Sequence, residues 1–251
     1  MQAINVGLFG LGVVGCGVVE ILQRNRELIV QRLGAELRIT RAVTAHPEKP
    51  RPVGLRGIPL STDPATILGD PQVDIVVELI GGTGVARDVV LGALRAGKPV
   101  VTANKALLAE CAREIFPLAY AKGLPLGMEA SVAGGIPVLR SLREGLAGDR
   151  ILEICGIVNG TCNYILTQMS QQQTPFDQVL AEAQRLGYAE ADPTFDVDGH
   201  DSAHKLAVLI NLAYGTMVDY SAIYREGIRR ITPLDITFAR QLGYAVKLLA
   251  I

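Results

Sequence analysis

The chain opens on a short apolar run, Ile4 to Phe9 (INVGLF), that leads directly into Gly10-Leu11-Gly12-Val13-Val14-Gly15. Val18, Val19, Ile21 and Leu22 follow at helical spacing. Strand, glycine turn, helix is the order this imposes, and few architectures accept it. In a turn of this spacing the first glycine permits the tight bend, the second lets the backbone approach a pyrophosphate, and the third lets helix and strand pack closely. The helix N-terminus then offers unpaired N–H groups to phosphate oxygens. Gly10, Gly12, Val13, Val14 and Gly15 are therefore the predicted cofactor-binding backbone; the alternative is a glycine-rich turn that binds nothing.

A second apolar segment, Glu36 to Val43, follows after Gly34 and completes a β-α-β unit. The rhythm recurs downstream. Val73 to Leu79 reads as a buried strand, Val85 to Ala96 as a helix closed by Gly97, and Val100 with Val101 as the next strand. Ala106 to Tyr120 reads as a helix and Leu124 to Met128 as another strand. Alternation of this kind implies an α/β fold, a Rossmann-like doubly wound parallel sheet with helices on both faces. After Glu129 the pattern changes. A small-residue loop (Ser131 to Gly135), a helix (Pro137 to Leu146), a strand (Ile151 to Val158) and a helix (Phe176 to Leu186) are expected in turn. The loop Gly187 to Gly199 then leads into an apolar helix, His200 to Tyr214. Two domains are expected, residues 1–130 and 131–251, the second an incomplete α+β domain. The final residues, Ala245 to Ile251, read as the body of a strand with no turn after it, so the fold is expected to continue beyond them.

Composition removes several classes. With 24 Lys+Arg against 25 Asp+Glu, and no clustering of the basic residues, there is no field to gather nucleic acid. The most apolar stretch, Val73 to Ile80, carries Asp74 and Glu78 and is far shorter than a membrane span of about 20 residues. The start lacks the pattern of a signal peptide, and the four cysteines include no C-x-x-C pair. A soluble cytoplasmic protein with buried free thiols is the expectation.

Ligands of an open α/β sheet bind beyond the carboxyl ends of its strands. An acidic residue ending the second strand would select NAD through the ribose 2′-OH, but Arg38 to His46 holds none. Arg41, with a planar fork suited to a 2′-phosphate, favours NADP unless it is only a surface charge. Lys105, in Thr102-Ala103-Asn104-Lys105 after a strand end, is placed to polarise an oxygen or relay a proton, the alternative being a solvated charge. The loop Gly187 to Gly199 carries five carboxylates with the helix start that follows it, and Asp201 and Lys205 share one face of an apolar helix. Charges entering such a face are costly unless paired, which suggests a purpose beyond an ordinary i,i+4 pair. His200 and His204 have the spacing of zinc hydrolases, but Asp201 stands where their Glu would be and no third ligand follows.

These blocks together resemble the homoserine dehydrogenases. The family's signature matches from Ala183 through Gly187, Asp192-Pro193, Asp196, Gly199 and Asp201 to Lys205, and Gly10 to Gly15, Thr102 to Lys105 and Gly156 to Tyr164 agree. The resemblance covers essentially the whole chain, although members continue past its end. It implies NAD(P)H-dependent reduction of L-aspartate 4-semialdehyde to L-homoserine, on the route to threonine, methionine and isoleucine. It further implies that Lys205 donates the proton, that Lys105 assists while touching the cofactor, and that Glu190 and Asp196 hold the substrate ammonium and a bound water, with Asp201 in the same substrate site. A monovalent cation, sodium, is implied at Glu129 and the backbone of Val132, Gly134 and Ile136, and a homodimer for the full-length protein. A covalent-thiol aldehyde dehydrogenase and a non-catalytic cofactor-binding module are the competing readings.

Overall fold

The computed structural model describes residues 2–251. The chain divides into two compact units, Met1–Val138 and Leu139–Ile251. Among the described residues no helix is long and apolar enough to cross a membrane.

The first unit is built on a six-stranded sheet whose strands all run parallel, in the order β3-β2-β1-β4-β5-β6. Its strands are β1 (Gln2–Phe9), β2 (Ala35–Val43), β3 (Leu60–Ser61), β4 (Ile75–Glu78), β5 (Val100–Thr102) and β6 (Leu126–Gly127). The helices are α1 (Val13–Arg24), α2 (Arg26–Leu33), α3 (Ala65–Leu68), α4 (Val85–Arg95), α5 (Lys105–Glu110) and α6 (Ala112–Lys122). Val6, Leu8 and Phe9 of β1 are all buried, as a central parallel strand covered on both faces requires. The strand order reverses between β1 and β4, which opens a crevice beyond their carboxyl ends. The single helix expected over 106–120 is two pieces, which turn at Cys111 so that Leu107 and Leu108 of one and Ala112, Ile115 and Ala119 of the other are all buried. Sequence reading missed the short elements β3 and α3.

A charged clasp joins α2 to β2. Glu36, buried on β2, accepts from Arg26 Nε and Arg38 Nε, each at 2.6 Å. The hydrogen bond from Arg26, then that from Arg38, holds the Glu36 carboxyl at about 2, against an ordinary 4.5. A depressed folded-state value contributes stability that is complete above the ordinary carboxylate range and lost as pH falls through 2. Glu36→Gln is therefore expected to destabilise the protein at neutral pH. In denaturant titrations that difference should shrink progressively below about pH 5; a difference independent of pH would refute the clasp.

The second unit is mainly helical, with α7 (Val138–Arg140) at the boundary, continued by a wider turn over Ser141–Gly145, then α8 (Gly160–Gln172), α9 (Phe176–Arg185), α10 (Thr194–Val197), α11 (His200–Tyr214) and α12 (Pro233–Gln241). Cys162, Ile165, Leu166 and Met169 of α8 pack with Phe176, Val179 and Ala183 of α9, and with Val197, Ile228 and Ile236. The strands expected at Ile151 to Val158 and Ala245 to Ile251 are not ladders. The two segments meet at one antiparallel bridge, where Gly156 N donates to Ala250 O at 3.0 Å and Ala250 N to Gly156 O at 2.9 Å. Among the described residues no further strand pairs with either, so their apolar residues stay partly in solvent, with Leu152 exposed.

Candidate functional site

The glycine turn sits at the carboxyl end of β1. Gly10 has φ +94°, and a Cβ there would lie 2.5 Å from the Leu79 carbonyl oxygen. At Gly15 a Cβ would lie 2.0 Å from the Gly10 carbonyl oxygen, so helix and turn touch backbone to backbone. Gly12 differs: a Cβ there would meet nothing within 4 Å. Gly12 also caps α1 without any side-chain hydrogen bond, and no acidic residue occupies the first turn. Val13 and Val14, 93% and 57% exposed, flank this open end. Bare N–H groups, a positive helix terminus and free space together make a receptor for an anion.

Lys105 is half-buried at the start of α5, just past the carboxyl end of β5. Asn104 caps that helix, its Oδ1 accepting from Leu107 N at 3.1 Å. Arg41 lies within β2, opposite Gly7, and its Nη2 is 3.4 Å from Asp70 Oδ2, on the loop that precedes β4. Its fork thus meets Asp70 rather than standing free beside the carboxyl end of β2. Arg51 also lies near that end, its guanidinium donating from Nη2 to Thr44 Oγ1 at 3.2 Å and His46 O at 2.6 Å and from Nη1 to Pro47 O at 3.3 Å. Sequence reading missed it because it follows the strand by eight residues.

Glu129 is half-buried in a short 3-10 turn, Glu129–Ser131, followed by buried Val132. Ala133 and Gly135 have φ +50° and +89°, so the backbone through Gly134 and Ile136 is tightly turned. Ile136 N donates to Ala133 O at 2.8 Å, and the Ile136 carbonyl accepts from Val138 N at 2.8 Å. A non-glycine residue held at positive φ implies that its surroundings dictate the turn.

In the second unit the structure brings Asp196, Asp201 and Lys205 together around a residue the sequence analysis did not single out. Lys205 Nζ donates to Asp201 Oδ2 and to the Val158 carbonyl, both at 2.7 Å. Asn159 Nδ2 donates to Asp201 Oδ2 at 2.8 Å and to Asp196 Oδ1 at 2.7 Å. Asn159 Oδ1 meanwhile caps α8 by accepting from Cys162 N at 2.8 Å. One buried amide therefore ties a helix start to both carboxylates. Asp201, 4% exposed, faces Lys205 and Asn159, which makes it the holder of the lysine. Glu190 is exposed on the loop before α10, with its carbonyl accepting from Gln184 Nε2 at 3.0 Å.

Two of the four thiols, Cys111 and Cys162, are unsuited to covalent catalysis. Burial, then the charges of Asp196, Asp201 and Asp198, pushes the Cys162 thiol up to about 12, and its Sγ donates to Asp196 O at 3.2 Å. Burial likewise pushes Cys111 up. The thiolate is the nucleophile, and these settings suppress it. His200 Nδ1 lies 3.0 Å from Tyr220 Oη, and His204 is buried, its ring stacked 4.1 Å from that of Tyr220.

Comparison with known proteins agrees across both units. The profile of the homoserine dehydrogenase NAD-binding domain matches residues 10–128, and that of homoserine dehydrogenase matches residues 137–251. Homoserine dehydrogenase of Neisseria gonorrhoeae is 49% identical over all 251 residues, which correspond to 58% of that protein. A homoserine dehydrogenase structure from Thiobacillus denitrificans superposes with a TM-score of 0.92 at 49% identity, covering 99% of this chain and 57% of that one. A structure from Archaeoglobus fulgidus, whose name gives homoserine dehydrogenase as a provisional assignment, matches with a TM-score of 0.88 at 33% identity. That match covers 98% of this chain and 79% of the other. The chain thus spans a little over half the length of its curated relatives. Both profiles, and the likeness along the whole chain, place it in the homoserine dehydrogenase family.

Proposed function

We propose that the full-length protein containing this sequence interconverts L-aspartate 4-semialdehyde and L-homoserine with a nicotinamide cofactor, in threonine, methionine and isoleucine biosynthesis. The observation that carries the reading is Lys205, an ammonium fixed between the Asp201 carboxylate and the Val158 carbonyl. A nicotinamide cofactor supplies or accepts the hydride when bound. The residues present fit it: the open space at Gly12 and the uncapped N-terminus of α1 suit a pyrophosphate. NADP is the cofactor proposed, because no carboxylate ends β2 to accept from a ribose 2′-OH.

In the reducing direction Lys205 gives a proton to the alkoxide oxygen as the carbonyl carbon gains hydride; in the oxidising direction the hydroxyl proton returns by the same route. Asp201 holds the Nζ and neutralises the ammonium whenever it forms. Asp196, oriented by Asn159, holds a bound water, and exposed Glu190 receives the substrate ammonium. Lys105 assists at the cofactor side. The Glu129 carboxylate and the carbonyls of Val132, Gly134 and Ile136 are hard oxygen donors that suit sodium. The family resemblance supports a cytoplasmic homodimer.

Homoserine-dependent reduction of NADP+ and NAD+ by the purified full-length protein tests the reading. Turnover with NADP+ preferred is expected; no reduction of either cofactor contradicts it. Thiol chemistry provides a second check. Iodoacetamide should label exposed Cys155 in the folded protein, leave Cys162 unmodified and leave turnover intact. Inactivation that tracks labelling of Cys162 would favour the covalent-thiol reading instead.

A further inference from the structure

Glu78, the last residue of β4, is 0% exposed, so a carboxylate is sealed where the strand meets the crevice. Such a group is retained only if its oxygens are satisfied. Its Oε1 accepts from Ile80 N at 2.7 Å and Gly81 N at 3.2 Å, and its Oε2 from Thr102 Oγ1 at 2.6 Å. Thr102 Oγ1 in turn accepts from Asn104 N at 3.0 Å, and Asn104 Nδ2 donates to the Gly82 carbonyl at 2.7 Å. The circuit closes: Glu78, the turn it caps, Asn104, Thr102 and Glu78 again. Gly81 and Gly82, at φ +86° and +68°, have no conformational restraint of their own, so the circuit is what fixes this turn. The same Asn104 caps the helix that begins with Lys105.

Adenosine ribose is read at the end of β2, so the nicotinamide nucleotide falls to the other half of the sheet, over β4 and β5. We propose that Glu78 is a positioning residue: through Thr102 and Asn104 it locks the Ile80–Gly82 turn to the start of α5 and so preforms the nicotinamide half of the cofactor crevice. This rests on the dehydrogenase reading above. A carboxylate is needed because all three of its partners donate; an amide would set its own N–H groups against one of them.

Thr102→Val, which keeps the shape and removes the hydroxyl, opens the circuit in the full-length protein. NADPH binding, followed by fluorescence, should weaken about tenfold or more, because the hydroxyl both donates to Glu78 and accepts from Asn104 N. Adenosine 2′,5′-bisphosphate, which carries only the adenosine half, should bind within about twofold of wild type. Thr102→Ser should restore NADPH binding, and kcat for homoserine should fall with the valine and recover with the serine. Equal weakening of both ligands, or of neither, overturns the proposal. If Thr102→Val does not fold, Glu78→Gln gives the same contrast. Wild-type protein that binds NADPH but never turns over homoserine would defeat the dehydrogenase reading, while the two-ligand comparison would still decide the role of Glu78.

Discussion

Lys205→Ala is expected to lower kcat for homoserine oxidation by about 10²- to 10⁴-fold, the usual contribution of a positioned general acid or base. NADP+ affinity should stay close to wild type, because the glycine turn proposed to receive the pyrophosphate belongs to the other unit. The geometry explains why one side chain carries so much. Its Nζ is held at 2.7 Å by both Asp201 and the Val158 carbonyl, so the proton is presented from a fixed point. Truncation also strips Asp201 of its cation, and breaking a buried pair costs about 3–5 kcal/mol, so a fall in stability would confuse the result. Lys205→Arg separates the two effects. The guanidinium keeps a positive charge beside Asp201 but does not release its proton, so stability should recover while kcat stays low. Weakened cofactor binding with intact turnover would remove Lys205 from the chemistry.

The second large effect divides the glycines of the first turn. Gly12→Ala should fold normally, since the added methyl meets no protein atom within 4 Å and the backbone, at φ −78°, suits alanine. The methyl should instead intrude where the pyrophosphate lies. Crowding of about 1–3 kcal/mol corresponds to roughly 5- to 150-fold weaker NADP+ binding. Gly10→Ala should do the reverse kind of damage. Positive φ strain of about 1–2 kcal/mol adds to the overlap with the Leu79 carbonyl oxygen at 2.5 Å, so the fold itself should lose stability. Calorimetry and cofactor titration on both variants check this. A folded Gly12→Ala protein that binds NADP+ as tightly as wild type would mean that the turn does not receive the cofactor.

The first unit was largely readable because its signals are local. The run Ile4 to Phe9, the glycine spacing and the apolar periodicity after it need no distant partner to be interpreted, and the helix His200 to Tyr214 was read to the residue for the same reason. Ile151 to Val158 has the apolar content of a strand, yet a strand exists only through a neighbour, and one bridge to Ala250 is all it finds among the described residues. Helix α12 was missed although Thr232-Pro233-Leu234-Asp235 spells out its start: Thr232 and Asp235 form a reciprocal capping box with Pro at the first turn. The site residues divide in the same way. Asp201 and Lys205 are one helical turn apart and visible as a pair, whereas Asn159, 37 and 42 residues before the carboxylates it joins, becomes meaningful only when α8 is packed. Arg41 is visible in the sequence by residue type and nearness to a strand end, whereas its partner Asp70, 29 residues on, is not. Glu78 entered the sequence reading only as a charge interrupting an apolar stretch; its role depends on Thr102 and Asn104, more than 20 residues away.

The proposed reaction is hydride exchange between the carbinol carbon of homoserine and the nicotinamide. Incubating the full-length protein with NADP+ and homoserine deuterated at its hydroxyl-bearing carbon tests it directly, with mass spectrometry of the reduced cofactor as the readout. Deuterium should appear in the NADPH, one atom per molecule of aspartate 4-semialdehyde formed. Reduced cofactor without deuterium, or none formed at all, would contradict the account.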